Sequence, residues 1–214
     1  MYVHAPELPM VDVEVRFNAG SARDGEKWGL ASFTAGMMAT ATPSKDENQI
    51  SEAFNDLGVQ IGADAGRDAA SLKMRSLTRA SILSPALELF AEVLTQPVFR
   101  TETLSREKAR LLSGLKQKTV QPQAILKDAL WSQLYGEHPY AHPVEGTIKT
   151  VDALTINDIK GFYKQYYVAA NAQVTIVGAV DRTAAEQMAE TLVRNLPTGK
   201  HPVPIPEPKP LKQA

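Results

Sequence analysis

Residues 29–38 read GLASFTAGMM. Leu30, Phe33, Met37 and Met38 recur at steps of three and four, the spacing that lines one side of an α-helix with apolar groups. The pattern predicts an amphipathic helix over Trp28 to Ala41. Upstream, VDVEVRF (Val11–Phe17) alternates apolar and charged residues, the period-2 signature of a half-buried strand. Downstream, Pro43-Ser44 closes the helix, and Ser44 or Asp46 is placed to cap a second one through Leu57. Gly58 stands where a helix-ending glycine belongs. VQIGADAGRDAASLKMRSLT (59–78) then predicts two strands joined by a tight turn at residues 65–68.

The same reading continues to the end of the chain. Ser84-Pro85 predicts a helix start, and LELFAEVLTQPVF a helix ending near Pro97. Residues 101–135 form a helical stretch interrupted at Gln121-Pro122, where the ring breaks or kinks it. GEHPYAHPVEG (136–146) is a loop. Thr155 and Asp158 make a capping-box-like start for a helix through Tyr166. AQVTIVGAV (172–180) is a buried strand, and Ala184 to Arg194 a last helix. HPVPIPEPKP (201–210) has proline at nearly every second position, which predicts an extended linker. Strands and helices do not alternate strictly, so the class is α+β rather than a doubly wound parallel sheet. Residues 1–200 form one domain, and 201–214 are expected to lead into a second half.

Composition narrows the function. The 214 residues are 43% hydrophobic and 22% charged, which bounds the chain to one large domain or at most two small ones. That is enough to bury a core without disulfide or metal staples. Lys+Arg 23 against Asp+Glu 24 leaves a net charge of −1, so no basic field points to nucleic acid, and no dense Lys/Arg block points to a membrane surface. Zero cysteines exclude disulfides, thiolate metal sites and a cysteine nucleophile. No apolar run approaches the roughly 20 residues that cross a bilayer. MYVHAPELP lacks the basic start and apolar core of a signal peptide.

Isolated motifs carry little chemistry. His138 and His142 are four apart, but Pro139 and Pro143 follow them directly and place both in a loop, where helical ligand spacing has no meaning. A metal site built on them is a minor reading. Ser105-Arg-Glu-Lys108 fits a serine–lysine pattern that arises readily by chance, and Ser105 is more simply a helix residue. Ser32 lacks the flanking glycines of a nucleophile elbow. Gly58, Gly62 and Gly66 are spaced as turn and strand glycines rather than as a phosphate cradle.

Taken in order, VDVEVRFNAGSARD, GLASFTAGMM, NDLGVQIGADAGRDAASLKMRSL, LELFAEVLTQPVF, LSREKARLLSGLKQ, LYGEHPYAHPVEGTI, ALTINDIKGFYKQYYVAANAQVTIVGAV and NLPTG resemble the N-terminal domain of the pitrilysin/insulinase family of zinc peptidases. The resemblance implies the processing-peptidase-like metallohydrolase fold, a mixed, largely antiparallel sheet with helices packed on one face. In active members the helix after Gly-Leu-Ala carries His-x-x-Glu-His, with two zinc-binding histidines and a general-base glutamate. A later helix supplies one further glutamate ligand. At the matching positions this chain has Ser32, Ala35 and Gly36, and Gly114 seven residues after Glu107. These four are vestigial positions: no catalytic, cofactor or metal residue is expected among them.

Ala31, Ala35, Gly36 and Ala39 instead offer a small-residue face that another element could approach closely. No arginine here has a tyrosine seven residues on, the pair that marks the family's C-terminal domains, so the resemblance implies an N-terminal half. The resemblance therefore implies a silent subunit that pairs, as a heterodimer, with an active zinc-bearing homologous subunit and its own C-terminal half around peptide substrates. Zinc is expected only in the active partner, and the periplasm is the expected compartment. The alternatives are a structural assembly subunit with no proteolytic role, and an enzyme with its metal relocated to His138 and His142.

Overall fold

Val11, Val13, Val15 and Phe17 are buried on one side of strand β2 (Met10–Phe17), while Asp12, Glu14 and Arg16 face the other. That alternation sets the sheet between a core and water. The computed structural model describes residues 1–209. In it β2 is the middle strand of five, in the order β1-β5-β2-β4-β3, with β1 at Tyr2–His4, β3 at Gln60–Ala65, β4 at Ala70–Leu77 and β5 at Ala172–Gly178. β2 runs antiparallel to β4, from Met10 opposite Leu77 to Phe17 opposite Ala70, and antiparallel to β5 on its other side. β3 and β4 form the expected hairpin, closed by Gly66 N–H donating to Ala69 O at 2.8 Å. The short β1, which the sequence did not announce, pairs with β5 in parallel.

On the open face Arg75 donates twice to Asp12, at 2.6 and 2.8 Å, and Lys73 lies 3.1 Å from Asp64. These pairs are exposed and stabilise little. The other face is covered by α1 (Leu30–Met37), α2 (Glu47–Asp56), α3 (Ala80–Thr95) and α8 (Arg182–Val193), with α4 (Thr101–Lys118), α5 (Pro122–Tyr135), α6 (Ile148–Ala153) and α7 (Ile156–Tyr166) completing the layer. Phe17, Phe54, Phe90, Met37, Leu72 and Ile176 are among the largest wholly buried side chains of one continuous core. Each contributes roughly 1.5–3 kcal/mol through burial.

The capping box read at Thr155 and Asp158 opens α7. Of the two cap candidates at α2 it is Asp46 that caps, in a box with Gln49 that the sequence reading did not include. Pro122 opens α5, where its missing N–H costs nothing. α6 is a helix the sequence reading did not include, α8 starts at Arg182 rather than Ala184, and two further boundaries differ more. α3 begins at Ala80, so Pro85 lies inside the helix rather than at its start. The carbonyl that Pro85 leaves unpaired belongs to Ser81, an exposed residue that water reaches. The helix expected over Trp28–Ala41 starts at Leu30 and tightens after Met37 into a 3-10 turn over Met38–Thr40. The proline-rich tail has no regular structure over residues 200–209, yet it is fastened down: Arg23 donates to Val203 O at 2.8 Å, and His138 Nε2 donates to Pro206 O at 2.7 Å. Residues 210–214 of the expected linker lie outside the described residues.

Candidate functional site

The site begins where α1 begins. Gly29 takes φ 97°, a left-handed conformation that side chains resist, and supplies no cap of its own. Asp24 supplies it from five residues upstream, its Oδ2 accepting from Gly29 N–H at 2.7 Å and its Oδ1 from Ala31 N–H at 2.8 Å. Burial pushes this carboxyl up to about 7, against the pull of those N–H groups toward the ionised form. The backbone of Gly29 also lies against the loop before α6. A Cβ at Gly29 would stand 2.8 Å from Glu145 O, and one at Gly146 2.2 Å from Trp28 O. Thr150 adds a hydroxyl bond to Trp28 O at 2.9 Å. The loop at 144–146 is thus fixed to the start of α1.

α1 is buried at Leu30, Ala31, Phe33, Thr34, Ala35 and Met37, packed on β3, β4 and α7. The amphipathic reading is corrected here: small residues let the sheet and α7 close on nearly every side. The helix is open only at Ser32 and Gly36, one turn apart. Ser32, Gly36 and, from α4, Gly114 line one cleft of about 490 Å³. Phe33, Met37, Leu111 and Val144 form apolar walls, Ala63, Asp64 and Ala65 of β3 a side, and Glu107, Arg110 and Glu145 a rim. Three of the four positions expected to be vestigial therefore share a cleft. Ala35, 0% exposed, lies in the core outside that lining.

The small-residue face behaves differently from its expectation. Ala31 and Ala35 are packed, but a Cβ built on Gly36 or on Gly114 would meet nothing within 4 Å. Among the described residues no element approaches there, and none fills the cleft.

The chemistry of the donor set settles how the cleft relates to zinc. Of Ser32, Ala35, Gly36 and Gly114 only the serine carries a side-chain oxygen, and a hydroxyl is a poor zinc ligand; three protein ligands are required. The set does not fit the ion. Among the described residues no three His, Asp or Glu side chains gather where they could hold a metal. Glu107 pairs with Arg106 at 3.2 Å and Arg110 at 3.1 Å, and Glu145 is bonded to Lys118.

The other candidates separate. His142 is buried, stacks on Trp28 with ring centroids 5.2 Å apart, and shares a bond with Pro143 O; burial holds its imidazole below the usual histidine range. His138 takes the N–H of Tyr140 on Nδ1 and holds the tail through Nε2. Both ring nitrogens of His138 are therefore occupied by backbone. Ser105 donates to Thr101 O at 3.0 Å, while Lys108 donates to Asp152 O and Leu154 O, closing the C-terminal end of α6. No serine–lysine couple exists between them.

Sequence reasoning missed Asp24 because its partners stand five and seven residues on, outside the three-residue spacing of a capping box. An acid in the Gly-rich run NAGSARDGEKWG was the one available signal. It also missed that, among the described residues, β3 pairs with β4 alone, leaving the outer edge of the sheet beside the cleft.

Comparison with known proteins places this geometry. Residues 1–148 match the model of insulinase, peptidase family M16, and residues 153–214 match that of the peptidase M16 inactive domain. A solved structure of a peptidase M16 inactive domain from Pseudomonas fluorescens superposes with a TM-score of 0.94 at 36% identity, over 97% of this chain and 50% of that one. An uncharacterized zinc protease of Rickettsia felis is 24% identical over 91% of this chain and 47% of its own length. The mitochondrial-processing peptidase subunit beta of Saccharomyces cerevisiae is 21% identical over 96% of this chain and 44% of its own. The chain spans about half the length of these relatives. With more than half of its residues matched by the family model, the chain belongs to the insulinase family of peptidases, M16.

Proposed function

We propose that this chain is a non-catalytic half of an M16-type assembly, which holds extended peptide beside β3 while a homologous subunit with an intact His-x-x-Glu-His supplies zinc and cleavage. One observation carries the reading. The cleft stands where the resemblance puts the metal, and the motif positions that line it are Ser32, Gly36 and Gly114 rather than metal donors. The outer edge of β3 beside it offers backbone groups to an added strand. A periplasmic location is proposed with it, on the resemblance alone.

Zinc content measured before and after the ligands are rebuilt tests the assignment. The parent is expected to retain well below one equivalent after exchange into metal-free buffer. The Ser32→His/Gly36→His/Gly114→Glu variant is expected to retain about one. Equal zinc in the two folded proteins would overturn the placement of the vestigial site. Mixing the chain with a zinc-bearing homologue from the same organism then tests the pairing. Peptide cleavage should rise well above that of the homologue alone, and an unchanged rate points to the assembly-subunit alternative.

A further inference from the structure

Gly36 and Gly114 are exposed and Ser32 half-buried, so the space that larger side chains would occupy at these positions opens to solvent. Ser32, Gly36 and Gly114 surround open space, and a Cβ at either glycine would touch nothing within 4 Å. We propose that this emptied metal position is a side-chain pocket, which takes one large apolar side chain of an extended peptide lying along β3. The inference rests on the reading that the cleft holds peptide, and adds which side chain it selects and where.

Three features carry it. The walls are apolar: Phe33, Met37, Leu111 and Val144 face a volume of about 490 Å³, within the range of sites that enclose a ligand group. The rim charges are already matched within the chain. Glu107 is paired with Arg106 and Arg110, Glu145 with Lys118, and Asp64 with Lys73 and the hydroxyl of Ser71. Among the described residues no unpaired charge lines the cleft to recognise a charged guest, so an uncharged side chain suits its apolar floor better.

The third feature is register. In β3 Ile61, Ala63 and Ala65 lean toward the helices, while Gln60, Gly62 and Asp64 face water. A strand laid beside β3 continues that alternation, so every second guest side chain falls on the helix side, where the cleft is. One of them reaches the floor between Gly36 and Gly114.

Fluorescence anisotropy with two labelled probes tests the pocket. Both are short peptides of serine and threonine, one with a single central phenylalanine and the other with alanine in its place. The phenylalanine probe is expected to bind the parent about tenfold tighter. In Gly36→Leu/Gly114→Leu the pocket is filled. Neither glycine has a positive φ and both have room, so the helices should hold. There the phenylalanine probe should fall to the affinity of the alanine probe, which itself stays unchanged.

Equal binding of the two probes by the parent overturns the pocket and leaves the peptide-holding role intact, and this arm needs no variant. A phenylalanine preference that survives filling does the same. Equal loss of both probes on filling puts the leucines in the path of the peptide backbone and also overturns a side-chain site. If neither probe binds the parent, the pocket and the peptide-holding role fall together.

Discussion

Glycine does two opposite things around the cleft. Gly146 sits at φ 77° with Trp28 O only 2.2 Å from where a Cβ would be, so both conformation and space require it. Gly114 is an ordinary helix position on an exposed side, where glycine weakens the helix relative to alanine by about 0.5–1 kcal/mol. Gly114→Ala is therefore expected to raise the midpoint of urea unfolding. Gly146→Ala is expected to lower stability by about 2 kcal/mol or more through strain and displacement of the loop. A destabilised Gly114→Ala would mean that α4 needs the glycine for packing. Asp24 is the other residue with a readable sign. Unfolded, its carboxyl titrates near 3.8; folded, burial raises it to about 7. Between those values the native protein keeps a proton that the unfolded chain has released, so stability falls as pH rises from 4 toward 7 and levels off above. From pH 5 to pH 8 the loss is on the order of 2 kcal/mol, and it should vanish in Asp24→Asn. Denaturant titrations of both proteins at the two pH values check this. A parent that gains stability relative to the variant would show the N–H groups of Gly29 and Ala31 outweighing burial.

Among the elements, α5 is the least secured. None of its residues is buried, and Ile125, Leu126, Leu130 and Leu134 are exposed. Its hold on the body is an aromatic set at its C-terminal end. The Arg67 guanidinium lies 3.4 Å from the ring centre of Trp131, Arg67 Nε donates to Tyr140 O at 3.1 Å, Trp131 stacks on Tyr135, and the Tyr140 hydroxyl donates to Asp68. A cation over an aromatic face contributes about 0.5–2 kcal/mol. Amide hydrogen exchange should therefore find α5 open well before β2 or α3. Arg67→Ala should speed exchange in α5 while leaving that of β2 unchanged. Protection in α5 equal to that of β2 would show that packing, not this latch, secures it.

At the scale of the whole molecule, what could be read from the sequence was what is local. The alternation of Val11–Phe17 gave the central strand, residue type narrowed the cap of α2 to Ser44 or Asp46, the three-residue spacing of Thr155 and Asp158 gave the start of α7, and Pro122 gave the break between α4 and α5. The composition of the cleft was legible too, because Ser32, Gly36 and Gly114 sit at motif positions. Their openness was not, nor was the burial of Ala35, since both depend on which way each turn of helix faces once the sheet is in place. The contact of Gly29 with Glu145 and Gly146 joins segments far apart in the chain, and no local pattern encodes it. That contact has a thermodynamic consequence. With the start of α1 welded to the loop at 144–146, and that loop tied to α4 through Lys118 and Glu145, the walls of the cleft form before any guest arrives. For the extended peptide proposed above, the conformational entropy lost on binding then falls on the peptide alone, at about 1–2 kcal/mol for each residue held straight. Such a receptor discriminates by stiffness as well as by side chain, and favours segments already extended when they meet it.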